Sequence, residues 1–160
     1  MPAAMTALVN KTIACIEDLF RGNAGGHDAA HSLRVYRNAM KIAETEPEAD
    51  KENVALAALL HDTDDHKLFH TENNENARSF LMGNRVTEET IDLICAAINA
   101  VSFSQNRGKK PDTIEGRIVQ DADRLDALGA ISIARAFAYG GEHERPLHES
   151  VQHLRKCVEC

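Results

Sequence analysis

An all-α fold is what this sequence predicts, and three observations predict it. Apolar residues recur at helical spacing along nearly the whole chain. No stretch alternates convincingly with the period of two that a half-buried strand needs. Short polar breaks carrying Gly or Pro separate the periodic stretches. With 160 residues, the chain has the size of one domain and can bury a core without disulfides or a structural metal. We therefore expect a single helical domain over residues 1–160, its motif-bearing core within 5–150 and a polar tail of uncertain structure at 142–160.

The elements follow in order. Val9, Ile13, Ile16 and Phe20 form one stripe on a first helix, which ends in the glycine-containing break 21–26. A second helix is expected from Asp28 to Glu46, with Val35, Ala39 and Ile42 on one face and Pro47 beyond its end. A third spans 51–62. Its centre, Val54 to Leu60, is apolar on every side and should be buried all round. Thr71 to Met82 reads as a weaker helix closed by Gly83, and Thr87 opens a fifth with Ile91, Ile94, Cys95 and Ile98 in register. Ser104 to Asp112 is a loop. From Thr113 a sixth helix carries Ile114, Ile118, Leu125 and Leu128 in one stripe, with helical spacing persisting to Ala138 and Gly140-Gly141 ending it. A last helix is expected near 147–158.

Composition removes several classes of function. Eighteen Lys and Arg stand against 25 Asp and Glu, a net charge of −7 with His neutral, which speaks against a generic binder of nucleic-acid polymers or of acidic membrane surfaces. The longest strongly apolar run is VALAALL at 54–60, far short of the ~18 residues of a membrane span. No basic segment followed by an apolar run and a cleavage site opens the sequence, so a cytoplasmic location is expected. Cys15, Cys95, Cys157 and Cys160 then read as reduced thiols. Acidity is nonetheless an odd background for a protein that handles anionic substrates.

Four polar residues stand where helical packing predicts apolar ones. His31 precedes Val35 by four and continues the inward stripe of the second helix. His61 and Asp62 end the all-apolar third helix, and Asp121 falls between Ile118 and Leu125 in the expected stripe of the sixth. An unpaired carboxylate in such a place costs several kcal/mol or takes up a proton. Two imidazoles and two carboxylates projecting inward from three helices can instead meet around one divalent transition metal. Periodicity alone leaves open that each is a separately satisfied polar group in the core of a helical interaction protein.

The segments GHDAAHSLRVYRNA (26–39), LLHDTDDHKLF (59–69) and EGRIVQDADRLDALGAISIARAFAYGG (115–141) resemble, in that order, the HD-domain superfamily of metal-dependent phosphohydrolases. The resemblance covers residues 5–150 and implies an all-α, phosphodiesterase-like helical bundle. Matched position by position, it implies His31, His61, Asp62 and Asp121 as ligands of one divalent metal, manganese first, with magnesium, iron, nickel, cobalt and zinc as alternatives. It implies a hydrolase that uses a metal-activated water to cleave a phosphate or pyrophosphate bond, with a nucleotide as the expected substrate, or else a non-catalytic nucleotide-sensing domain. Substrate identity and oligomeric state stay open, a homo-oligomer among the options. Relatives of this kind continue for another helical stretch beyond the point where this sequence stops.

Further roles follow from position. Arg34 lies three after His31, Lys67 five after Asp62, and Arg124 three after Asp121, so each can offer positive charge to a phosphate beside a ligand. Asp65, three after Asp62, matches the acid of some related pyrophosphohydrolases and is the first candidate for proton transfer; Asp64 is the second. Asp126 is a further acid, or a partner of Arg124 or another base. His27 and His31 form H-x-x-x-H, superficially a zinc-protease pair, but Asp28 there is a natural N-cap. His66 and His70 read as exposed, the Arg107–Lys110 loop as solvated, and Cys157-x-x-Cys160 as incidental.

Overall fold

The computed structural model describes residues 3–22, 28–66, 68–101, 109–149 and 151–152, with side chains from residue 7 onward. Seven helices are assigned among them: α1 (Ala3–Leu19), α2 (Ala29–Ala43), α3 (Lys51–Leu60), α4 (Glu75–Gly83), α5 (Glu88–Val101), α6 (Ile114–Asp126) and α7 (Ala130–Glu142). No strand occurs among the described residues, so the all-α expectation is met.

The apolar centre of α3 does what its composition dictates. Every residue from Asn53 to Leu60 is buried, and α1, α2, α5 and α6 all pack against this helix. Asp50 starts it by accepting the backbone N–H groups of Glu52 and Asn53, satisfying donors that a helix start leaves unpaired. Around it, Val9, Ile16 and Phe20 from the first segment, Val35 and Ala39 from α2, Ile91 and Ile94 from α5, and Ile118 and Val119 from α6 close a contiguous core. Burying a Leu or Ile side chain is worth ~1.5–3 kcal/mol, so this packing fixes where the ends of α2, α3 and α6 meet.

Two expectations fail. The sixth helix does not run on to Ala138. It stops at Asp126, the chain turns at Gly129 with φ +87°, and α7 begins. Any residue with a Cβ would be strained there, and Gly129 is the signal that the continuous reading overlooked. Gly140 and Gly141 lie inside α7 rather than ending it. The inward face of α6 is also turned away from the expected stripe. Gly116, Ile118, Val119, Gln120, Ala122 and Asp126 are buried, whereas Leu125 and Leu128 are exposed. Gly116 leaves room for the helix start and for α5: a Cβ there would meet Thr113 Oγ1 of the cap at 3.0 Å and Ala100 Cβ of α5 at 3.5 Å. Residues 147–149 and 151–152 are helical, within the expected last helix; the rest of that helix lies outside the described residues.

Candidate metal centre

Three helix ends deliver the polar residues. Asp28 caps α2 by accepting the His31 backbone N–H at 2.7 Å, which sets the imidazole in the first turn, facing inward. His61 is the C-cap of α3, and Asp62 follows it into the buried interior. From α6 comes Asp123, its side chain 24% exposed. His31 Nε2 lies 3.2 Å from His61 Nε2, 3.2 Å from Asp123 Oδ1 and 3.5 Å from Asp62 Oδ2. His61 Nε2 lies 3.3 Å from Asp62 Oδ1 and 3.8 Å from Asp123 Oδ1.

The tautomers explain why this arrangement suits a cation. His61 Nδ1 is 2.9 Å from the Ala58 carbonyl, which only accepts, so the proton sits on Nδ1. His31 Nδ1 is 2.7 Å from Asp126 Oδ2 and donates to that carboxylate. Both rings therefore present Nε2 to each other and to two carboxylates. Two imidazole lone pairs 3.2 Å apart need a proton or a cation between them. One ligand atom each from His31, His61 and Asp123 lie within 4.8 Å of one another, a group able to hold a metal ion. Nitrogen and oxygen donors together suit a divalent transition metal.

In the cation-free chain the proton takes that place. Burial works against charging His31, but hydrogen bonds to Asp123 and Asp126 and the charges of Asp62 and Asp123 outweigh it, and the ring is raised from 6.5 to about 9. Burial also opposes the charge on Asp126, yet the bonds from His31 and Arg34 hold its carboxyl well below the usual carboxylate range.

Several expected residues are placed differently. Asp121 is exposed on α6 and is not brought to the cluster; Asp123 stands there instead. The cause is the turned helix face. The expected stripe of Ile114, Ile118, Leu125 and Leu128 would have carried Asp121 inward, but the buried face runs through Ile118, Val119, Ala122 and Asp126. Asp64 has other work: its Oδ1 accepts the N–H of Asn76 at 2.9 Å and its Oδ2 that of Ala77 at 3.1 Å, capping α4. Arg34 makes a two-pronged contact with Asp126, Nε to Oδ1 at 2.7 Å and NH2 to Oδ2 at 3.0 Å. This also settles Asp126 as the partner of a base other than Arg124.

Other expected residues are placed as follows or lie outside the described residues. Asp65 sits on the turn after α3, its side chain 15% exposed, with its N–H donating to the Asp62 carbonyl. Arg124 is half-buried, and its Nε is buried without a hydrogen-bond partner among the described residues. His66, His70, Lys109 and Lys110 are exposed, as expected. Lys67, His27, Arg107, Cys157 and Cys160 lie outside the described residues; Cys15 and Cys95 are free thiols. Sequence reasoning missed Arg135 of α7, whose NH1 donates to Asp126 Oδ2 at 3.1 Å. Its signal was a single basic residue within the apolar run AISIARAFAYGG.

Comparison with known proteins agrees with this architecture. The uncharacterized protein YpgQ of Bacillus subtilis is 39% identical over 142 residues, spanning 86% of this chain and 68% of YpgQ. The crystal structure of B. subtilis YpgQ in complex with ADP superposes with a TM-score of 0.72 at 31% identity, covering 90% of this chain and 71% of that one. A crystal structure of an HD-superfamily hydrolase from Bacillus thuringiensis gives a TM-score of 0.72 at 33% identity, covering 95% and 79%. Residues 28–128, which begin at the cap of α2 and end just after Asp126, match the sequence profile of the HD domain, and the chain belongs to that family.

Proposed function

We propose that this chain is a metal-dependent phosphohydrolase that cleaves a phosphate or pyrophosphate bond of a nucleotide. The observation that carries the reading is the pair of His31 and His61 Nε2 atoms, 3.2 Å apart and flanked by Asp62 and Asp123. A solved HD-superfamily hydrolase of the same fold supports the reaction class, and a YpgQ structure holding ADP supports the nucleotide. When bound, a divalent cation such as Mn²⁺ supplies Lewis acidity and an acidified water.

The residues of the chain divide the remaining tasks. His31, His61, Asp62 and Asp123 hold the cation, and their two carboxylate charges balance its two positive ones. Phosphate oxygens then need further positive groups. Arg124 offers one, because its buried Nε–H lacks a partner among the described residues, whereas most buried donors have one. Lys67 offers a second. Arg34 and Arg135, both anchored on Asp126, keep the wall of the site positive. Asp65 accepts the proton that water gives up on attacking phosphorus.

The test is metal analysis of the purified chain, then phosphate or pyrophosphate release from a nucleotide panel with Mn²⁺, Mg²⁺, Co²⁺ or Ni²⁺. Metal-dependent release from at least one nucleotide is expected. Tight nucleotide binding with no release under any cation would make the chain a nucleotide-sensing module instead. Neither binding nor release would sink both readings.

A further inference from the structure

We propose that Asp126 is a positioning residue of the metal centre: it fixes the tautomer and orientation of the His31 ring so that Nε2 faces His61, Asp62 and Asp123, and Arg34 and Arg135 hold it in that pose. The inference rests on the reading that the cluster takes a cation.

The geometry is specific to this job. The Asp126 side chain is 6% exposed, and its two oxygens receive four donors from two other helices, α2 and α7. Oδ2 takes His31 Nδ1–H at 2.7 Å, Arg34 NH2 at 3.0 Å and Arg135 NH1 at 3.1 Å; Oδ1 takes Arg34 Nε at 2.7 Å. Arg34 lies one turn along α2 from His31, so one helix presents both the ring and the fork that orients its acceptor. Arg135 NH1 also approaches His31 Nδ1, at 3.2 Å. An N–H of Arg135 can donate only to a bare Nδ1, and a bare Nδ1 would face the Asp126 carboxylate with two lone pairs opposed. Its proton therefore belongs to Oδ2, and Nδ1 keeps its own.

The two histidines differ in this respect. His61 gives its Nδ1–H to a neutral, fixed backbone carbonyl of its own helix. His31 gives its proton to an anion carried on another helix. An anionic acceptor makes the opposite nitrogen a better electron donor and locks the ring by charge as well as by direction. Residue 126 is thus a point where a change outside the cation's own ligands reaches one of them directly.

The experiment compares the wild-type chain with Asp126→Asn, Arg135→Gln and the surface control Asp121→Asn. Co²⁺ affinity and the visible Co²⁺ spectrum are measured, and ¹⁵N-histidine spectra are recorded on the Zn²⁺-loaded protein. Asp126→Asn should keep one site but weaken Co²⁺ binding by ~10–100-fold, the range expected when a supporting partner is lost. Arg135→Gln should weaken it less, and Asp121→Asn should leave it unchanged. In wild type the His31 ring should carry its proton on Nδ1, and this signal should broaden or move in Asp126→Asn. A lowered melting temperature with unaltered Co²⁺ affinity and ring signals would reduce Asp126 to a structural ion pair and overturn the inference alone. If Asp126→Asn fails to fold, Arg135→Gln decides by the same readouts. Wild-type protein that binds no Co²⁺ or Zn²⁺ would overturn the proposed function, and this inference with it.

Discussion

α3 and α7 are both rich in apolar residues, yet the protein treats them in opposite ways. In α3, eight successive residues from Asn53 to Leu60 are buried. In α7, Gly140 is the only buried residue, while Ile131 and Ile133 are each 49% exposed. The difference is one of neighbours rather than composition. α3 is surrounded by α1, α2, α5 and α6, so its apolar groups leave water on every side. α7 follows the turn at Gly129 and reaches the body of the site through Arg135 and Asp126. Hydrophobic content therefore says which helices are able to be buried, and topology says which are. The candidate metal centre stands at the end of the first kind and is braced by the second.

The sharpest way to break this comparison is at the ligands, where α6 places two acids two residues apart. Asp123→Asn should lose cation binding by more than the ~10–100-fold expected for a supporting residue, and hydrolysis with it. Asp121→Asn should retain both, because its side chain is exposed and away from the cluster. Metal titration of the two variants side by side decides the matter. The reverse result would restore the stripe through Ile114, Ile118, Leu125 and Leu128 as the true inward face.

Core truncation tests the contrast itself. Leu59→Ala in α3 removes a fully buried side chain and should cost ~2–5 kcal/mol in chemical denaturation. Ile133→Ala in α7, half-exposed, should stay within ~0.5 kcal/mol. Equal losses would mean that α7 is covered in solution and that the two helices are not different after all.

A smaller effect links pH to the cation-free site. The His31 ring rises from 6.5 to about 9 on folding, so it contributes stability that is fully present below pH 6.5 and lost as pH climbs through 9. Asp126 shifts the other way; its contribution is present above its unfolded value of 3.8 and fades only in stronger acid. With chelator present, the melting temperature should fall between pH 6.5 and pH 9.5, and less so in Asp126→Asn. A flat profile in wild type would contradict the proton-filled cluster.

How much of this was legible in the sequence depends on how many partners each residue needed. His61 and Asp62 were legible because they end a run that has no polar side at all. His31 was legible from its place four residues before Val35. The second carboxylate was not, because Asp121, Asp123 and Asp126 belong to one short helix with two credible inward faces. The more apolar face, with Leu125 and Leu128, lost to the one with Gly116 and Ala122. Close approach of α2, α3 and α5 selects small residues, and a single sequence does not display which neighbours approach. Arg135 was illegible for a related reason: its role exists only once α7 turns back at Gly129 toward Asp126.

Asp64 supplies the smallest and most local test, since sequence made it a candidate for proton transfer and the structure gives it a cap. Helix α4 begins after Asn74, a left-handed residue at φ +57° whose side chain makes no capping bond. The first N–H groups of α4 would be left to water, and Asp64 meets two of them from the turn after α3. A carboxylate also complements the positive end of a helix dipole. With both oxygens so engaged, Asp64 is poorly placed to exchange protons with a substrate. Asp64→Ala should therefore cost ~1 kcal/mol, as loss of a cap does, and should leave the rate per folded molecule nearly unchanged below the melting transition. Thermal melts and initial rates on the same preparation separate the two roles: a stable variant with a collapsed rate would return Asp64 to the chemistry, whereas a destabilised variant with an intact rate fixes it as the strap between α3 and α4.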